Sequence, residues 1–326
     1  MDLIISVHLS KLEFGEVQTF NNMAVFPLFT SADDSPRYLT LKEALERREL
    51  VVTEVSQSGS VPELKVVNKA DIPVLLLDGE EIAGAKQNRV LNTTILVMEK
   101  SETIIPVSCT EQGRWSYASG EFFDSGHIMN REVRSEKASH VSRSLKESLS
   151  YRGDQGAVWD GIASFAQRAN VRSTTGAMRD VYESRENDLK DYLEAFQCVP
   201  RQKGIFVMVN GAVTGFDVIS FESAYEVIHP KLVKSYAMDA LLSKSGKNGD
   251  PSVEKARAFV EETSRCEEKK FKSVGHGWDH RFEGKGLVGS SLVHQEKVIH
   301  LAFFKMNQEE RIGRISSASG RRRFRL

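Results

Sequence analysis

Residues 73–109, PVLLLDGEEIAGAKQNRVLNTTILVMEKSETIIPVSC, decide how this chain is read. Three apolar runs in it have the length and β-branched content of strands. Between the first two lies a polar insert, GEEIAGAKQNR, longer and more charged than a hairpin needs. Asp78-Gly79 can turn the chain, since both positions tolerate positive φ. Gly84 interrupts whatever strand follows, which predicts a bulge or a close backbone approach. Lys86, Gln87, Asn88 and Arg89 come directly before one long strand expected over 90–98. Four hydrogen-bonding side chains at a strand mouth suit an anionic, polyfunctional ligand. Lysine brings a compact charge, arginine a planar fork that fits phosphate, and the amides both donors and acceptors.

The third run ends in a second polar cluster, CTEQGRWSY over 109–117. If runs two and three pair through a turn at 99–102, Arg89 comes to lie beside Glu111, Arg114 and Trp115, with cross-strand Cβ atoms ~5 Å apart. Trp115 is then placed to stack on a base or ribose, and Arg114 to meet phosphate beside Lys86 and Arg89. Gln87, Asn88 and Glu111 fall to hydroxyls or base edges. Glu80, Glu81 and Glu111 are the candidate catalytic carboxylates, because paired acids push one pKa upward as acid–base chemistry requires. A plainer alternative pairs Glu80 and Glu81 with Lys86 and Arg89 as solvated ion pairs worth under ~1 kcal/mol. Cys109 alternates with Ile105 and Val107, the pattern of an inward-facing core thiol.

Outward from this stretch, 3–9, 23–29, 51–55 and 64–67 read as strands. Thr40 with Glu43 three residues on is a capping box opening a short helix. The segment 119–127 reads as loop. The Ser/Arg-rich 131–152 fits either a helix with Val141, Leu145 and Leu149 inward or a mobile loop. Helices are expected over 157–169 and 186–197. Asn210-Gly211 between apolar runs predicts a hairpin. A helix over 222–242 is expected to break near Pro230, and another to open at Asp250-Pro251. Strands with Gly-rich or Gln-Glu turns fill 271–304, so Gly284, Gly286 and Gly289 mark a turn. On a strand His276 and His280 lie ~13 Å apart, too far to share a metal, and none is expected. Asp279 and Arg281 share a face as an ion pair.

This order lacks βαβ alternation and defines an α+β class, mainly antiparallel. Residues 1–310 are expected to form one integrated unit: 1–117 β-rich, 118–198 helical or loop, and 199–310 α+β. The basic run over 311–326 is expected to be a disordered tail. Of 326 residues 40% are hydrophobic and 27% charged, with net charge −1. That balance excludes a dedicated nucleic-acid binder. No run reaches the ~18 apolar residues of a membrane helix. The start, MDLIISVHLSKL, lacks the cation and length of a signal peptide. Three widely spaced cysteines give neither a disulfide framework nor a zinc site. A cytoplasmic location follows.

LLLDGEEIAGAKQNRVLNTTILV, IPVSCTEQGRWSY, VMVNGAVTGFDVI and VGHGWDHRFEG together resemble the family of proteins associated with ADP-ribosylglycohydrolases and rhodanese-phosphatases. The resemblance covers about 3–304. It implies a ligand-binding role in NAD- or ADP-ribose-linked metabolism and carries no assignment of catalytic residues or cofactor. The leading expectation is a binding protein for a nucleotide-derived or ADP-ribose-like anion, with enzymatic activity left open. The alternatives are a hydrolase or transferase on a nucleotide-like substrate using Glu80, Glu81 or Glu111, and a scaffold whose segment 131–152 engages a protein partner.

Overall fold

Asp2 decides the first element. Its side chain accepts from the Ile4 amide and caps helix α1 (Leu3–Ser10), which buries Ile5, His8 and Leu9. The apolar run fits either period, and the cap selects the helix over the expected strand. The computed structural model describes residues 1–31, 36–243 and 249–306, so the basic run 311–326 lies outside the described residues.

Strands β1 (Glu13–Phe14), β2 (Gln18–Phe20), β3 (Met23–Phe29) and β4 (Leu39–Thr40) lead into α2 (Leu41–Glu46). The expected capping box closes there: the Thr40 hydroxyl accepts from the Glu43 amide at 3.3 Å and the Glu43 carboxylate accepts from the Thr40 amide at 2.9 Å. After β5 (Leu50–Glu54) and β6 (Glu63–Asn68), the decisive stretch forms five strands rather than three. These are β7 (Val74–Leu76), β8 (Glu80–Gly84), β9 (Arg89–Leu91), β10 (Ile95–Val97) and β11 (Ser101–Cys109). The polar insert is itself a strand. The single strand expected over 90–98 breaks at Asn92, Thr93 and Thr94, whose side chains bond Tyr151 O, Asp279 and His300 instead of continuing the ladder.

The segment expected as loop before residue 128 is strand β12 (Phe122–Ile128), paired with β8 through a wide irregularity between Asp124 and Ile128. Helices α3 (Arg131–Ser148), α4 (Gln155–Arg168), α5 (Met178–Ser184) and α6 (Glu186–Ala195) follow. Val141 and Leu145 of α3 are buried as expected, whereas Leu149 ends the helix at φ 54° and is 79% exposed. Asn210 and Gly211, at φ 53° and 73°, turn β13 (Gly204–Val209) into β14 (Ala212–Ile219). Helix α7 (Glu222–Leu242) runs unbroken through Pro230, because burial along most of its length outweighs the lost hydrogen bond. Helix α8 (Val253–Thr263) is capped by Ser252 rather than Asp250. Strands β15 (Glu267–Lys272), β16 (Trp278–Gly284), β17 (Leu287–His294) and β18 (Lys297–Lys305) complete the described chain.

The eight helices and eighteen strands described form an α+β fold with mostly antiparallel sheets. A nine-stranded sheet runs β1-β3-β13-β14-β18-β17-β16-β15, with β2 also on β3; a six-stranded sheet runs β12-β8-β9-β11-β6-β5; a three-stranded sheet runs β10-β7-β4. The large sheet is apolar on both faces. Phe206, Phe216 and Phe303 pack with α1 and α8, and Ile205, Val207 and Ile299 pack with α7. The three-stranded sheet also serves two cores. Leu75, Leu77 and Leu96 join the cluster of the large sheet, while Val74, Leu76, Ile95 and Val97 join that of the smaller sheets and α2. Residues buried on both faces explain why these runs read as unbroken hydrophobic segments. No helix of the described residues is long and apolar enough to cross a membrane.

Candidate functional site

Strand β11 hands over from one partner to another at Pro106. It pairs with β6 up to Pro106↔Glu63, then with β9 as Val107↔Leu91, Ser108↔Val90 and Cys109↔Arg89. The handover falls where the ladder lacks an amide donor. This register sets 86–89 beside 109–115, the convergence on which the sequence-based site depends.

Arg89 is fully buried. Its Nη1 donates to Gln87 Oε1 at 3.1 Å and to Asn88 O at 3.4 Å, while Nε and Nη2 make no hydrogen bond. Glu54 Oε1 stands 3.9 Å from Nη2, close enough for attraction and too far to accept. Burial pulls the Arg89 pKa below its usual value. Trp115, half-exposed, spreads its ring 5.7 Å from the guanidinium. Cys109 Sγ donates to Gln87 Oε1 at 3.1 Å, and burial raises its pKa, as fits a core thiol.

The other nominated side chains brace this centre. Arg114 donates to Ala85 O at 2.7 Å, Ser116 O at 2.9 Å, Asn88 Oδ1 at 3.2 Å and Glu111 Oε2 at 2.6 Å. Glu111 also accepts from the Asn88 amide and from Thr175 Oγ1. Burial alone would raise the Glu111 pKa; the bonds from Arg114 and Thr175 outweigh it, and the carboxyl sits below its usual value. Gln87 Nε2 donates to Glu111 O at 2.9 Å. Lys86 latches the segment 55–62 over the site: its Nζ donates to Ser58 O at 2.8 Å and lies 5.3 Å and 5.1 Å from the Trp115 and Tyr117 ring centres. Gly59, at φ +76°, lets that segment bend against Lys86 and Trp115. Gly84 makes the close approach expected of it, since a Cβ there would come 2.5 Å from Ser119 Oγ.

The carboxylates separate. None of Glu80, Glu81 and Arg89 is a solvated surface group, and Glu80 pairs with Lys231 at 2.8 Å rather than with Lys86 or Arg89. Glu81 accepts from Thr110 Oγ1 at 2.6 Å. Burial raises its pKa to about 7, against the opposing hydroxyls of Thr110 and Ser125. Glu81 therefore keeps in the fold a proton that the unfolded chain releases near pH 4.5. Native stability falls as pH rises from there to about 7 and levels off above, by up to about 3 kcal/mol. Glu81→Gln should remove that slope, so its urea midpoint should gain on the wild type between pH 5 and pH 8. Parallel midpoints in the two proteins would refute a neutral Glu81.

Beyond Glu81 lies the irregular turn of β12. Lys231 Nζ donates to Glu80 and to Asp124 Oδ1 at 2.7 Å. One turn later Lys234 Nζ donates to Gly126 O and lies 3.3 Å from His127 Nδ1. Burial, then the neighbouring Lys231 charge, lowers the Lys234 pKa to about 8. Burial with Lys234 beside it lowers His127 to about 3.

Sequence reasoning missed a buried polar seam between α3, the three-stranded sheet and the large sheet. Arg134 grips Asp217 with two bonds, at 2.7 and 3.1 Å, and reaches Asp78 at 3.3 Å. Lys137 also donates to Asp78, and to Leu91 O at 2.9 Å. Tyr236 and His300 contact Asp217, and Arg281 pairs with Asp279. The spacing of Arg134, Ala138, Val141 and Leu145 on one helical stripe was the available signal. It makes 131–152 largely a core helix rather than a free arm. Among the described residues Asp2, Glu268 and His280 bring ligand-type atoms within 4.8 Å. Their atoms are engaged with one another, the α1 cap and Lys270, which makes the group a knot between α1 and β15–β16. His276 bonds Glu99 at 2.8 Å and stacks on His294.

The sheet order and buried polar seam define a mostly antiparallel α+β protein. Within that class the chain belongs to the family of the ARG and Rhodanese-Phosphatase-superfamily-associated Protein domain, whose profile matches residues 11–304. The family's description associates it with ARG and rhodanese-phosphatase superfamily proteins, which hints at an ADP-ribose-related context and shows no specific function or ligand. No curated protein and no solved structure gives a significant match.

Proposed function

We propose that the chain binds a nucleotide-derived or ADP-ribose-like anion, with a phosphate held by Arg89. The observation that supports this most is the state of Arg89: a buried guanidinium with two donor nitrogens left unbonded. A buried cation with two donors unsatisfied is costly unless something completes its partners, and phosphate matches its planar fork. Trp115 offers the exposed ring on which a base or ribose stacks, and the segment latched by Lys86 closes over the guest. Gln87, Asn88, Glu111 and Arg114 hold this arrangement in place. A cytoplasmic location and NAD-linked metabolism are part of the same reading.

The test is thermal stabilisation by ADP-ribose, NAD and mononucleotides. A true ligand at a hundred times its dissociation constant should add ~2.7 kcal/mol of stability. No shift with any of them would overturn the ligand class. A second reading, hydrolysis or transfer on such a ligand, rests on Glu81, a nominated carboxyl whose pKa burial raises to about 7. Turnover that disappears in Glu81→Gln and survives in Glu80→Gln would carry it; turnover in both variants would remove it.

A further inference from the structure

We infer that Lys234 is the nucleophilic amine of a second site, in which an open-chain sugar enters the cavity between α2, β12 and α7 and condenses through its aldehyde or ketone carbon. The cavity measures about 490 Å³, and its walls include Lys42, Glu46, Asp124, Ser125, Lys231 and Lys234. Such a volume suits a small molecule, and carboxylates with a hydroxyl on the wall suit a polyhydroxylated one. Leu45 and Phe123 line it too and give the carbon chain an apolar side.

Lys234 differs from its neighbour in its partners. Lys231 is bound by two carboxylates, Glu80 and Asp124. Lys234 meets a backbone carbonyl and an imidazole nitrogen, both uncharged acceptors, and no described carboxylate lies within ion-pair distance. The carbonyl is presented by the irregular stretch of β12, where Gly126 takes φ +76°. Bulges of this kind recur beside active sites because they re-aim groups out of the ladder. An amine that is desolvated and next to another cation is the known route to a reactive lysine. With its pKa at about 8, Lys234 carries about two hundredfold more neutral amine at pH 7.5 than an ordinary lysine.

The chemistry balances without a further reagent. The neutral amine attacks the carbonyl carbon, a C–N bond forms, and the carbonyl oxygen becomes a hydroxyl. The C–O bond then breaks, and the oxygen leaves as water with both amine protons, one relayed through His127 Nδ1. The product is an imine on Lys234. This site is independent of the Arg89 centre, and either can fail alone.

Incubation of the full chain with ribose or ribose 5-phosphate, followed by borohydride and peptide mapping, tests it. The reduced adduct should form at Lys234 about tenfold faster than at exposed Lys190, and should be absent from Lys234→Arg. Faster labelling by the phosphate ester assigns an anion contact to Lys42; equal labelling assigns recognition to the sugar alone, and both support the site. Label spread over exposed lysines in proportion to their exposure would overturn it. The wild-type map decides even if the variant folds poorly.

Discussion

Replacing Arg89 with methionine and Glu54 with glutamine should leave the ligand-free protein at least as stable as the wild type, while abolishing any stabilisation by nucleotide-like anions. Arg89 is buried with two bare donors, and its nearest acid is 3.9 Å away. Such an arrangement carries the desolvation of an ion without the bonds that compensate it. Methionine keeps much of the length and fills an irregular space, and changing Glu54 at the same time avoids stranding its carboxylate. Replacements of imperfectly paired buried ions by apolar groups range from neutral to a gain of ~1–4 kcal/mol. The same change deletes the phosphate contact, so the ~2.7 kcal/mol expected of a saturating ligand should vanish. Calorimetry with and without ADP-ribose measures both at once. A marked fall in the stability of the empty variant would make Arg89 a structural strut and withdraw the main support for the site.

Asp217→Ala should have the opposite effect. It leaves the Arg134 guanidinium in the core with Asp78 alone, which Lys137 already claims, and deprives Tyr236 and His300 of their acceptor. Breaking a buried pair from one side costs ~3–5 kcal/mol, a large share of the ~5–15 kcal/mol that holds a domain together. A double variant, Arg134→Met with Asp217→Leu, should recover a substantial part of that loss, because no charge is left stranded. Urea unfolding of the three proteins gives the coupling directly. A loss below ~1 kcal/mol in Asp217→Ala would mean that water reaches the seam.

Local signals were the legible ones. The Thr40–Glu43 box and the Asn210-Gly211 turn depend on residues within a few positions of each other, and both formed. The meeting of 86–89 with 109–115 came out as expected, but not by the expected hairpin: beside the turn at 99–102, β10 pairs with β7 and the first part of β11 with β6, and only the end of β11 reaches β9. Other features depend on distant partners. Asn92, Thr93 and Thr94 look like strand residues until Tyr151, Asp279 and His300 arrive from elsewhere in the chain to claim their side chains. The stretch of helix α3 reads equally as helix or mobile loop because its arginine and lysine find their acids only in three dimensions. Glu80 was assigned to its sequence neighbours, yet its cation, Lys231, lies far along the chain.

Leu75 and Leu77 point into one core while Val74 and Leu76 point into the other. A short central ribbon is therefore a party wall, and each core uses it as a boundary. Excising either side would wet the opposite face of the same four residues. Damage to one compartment is thus transmitted to the other through shared masonry.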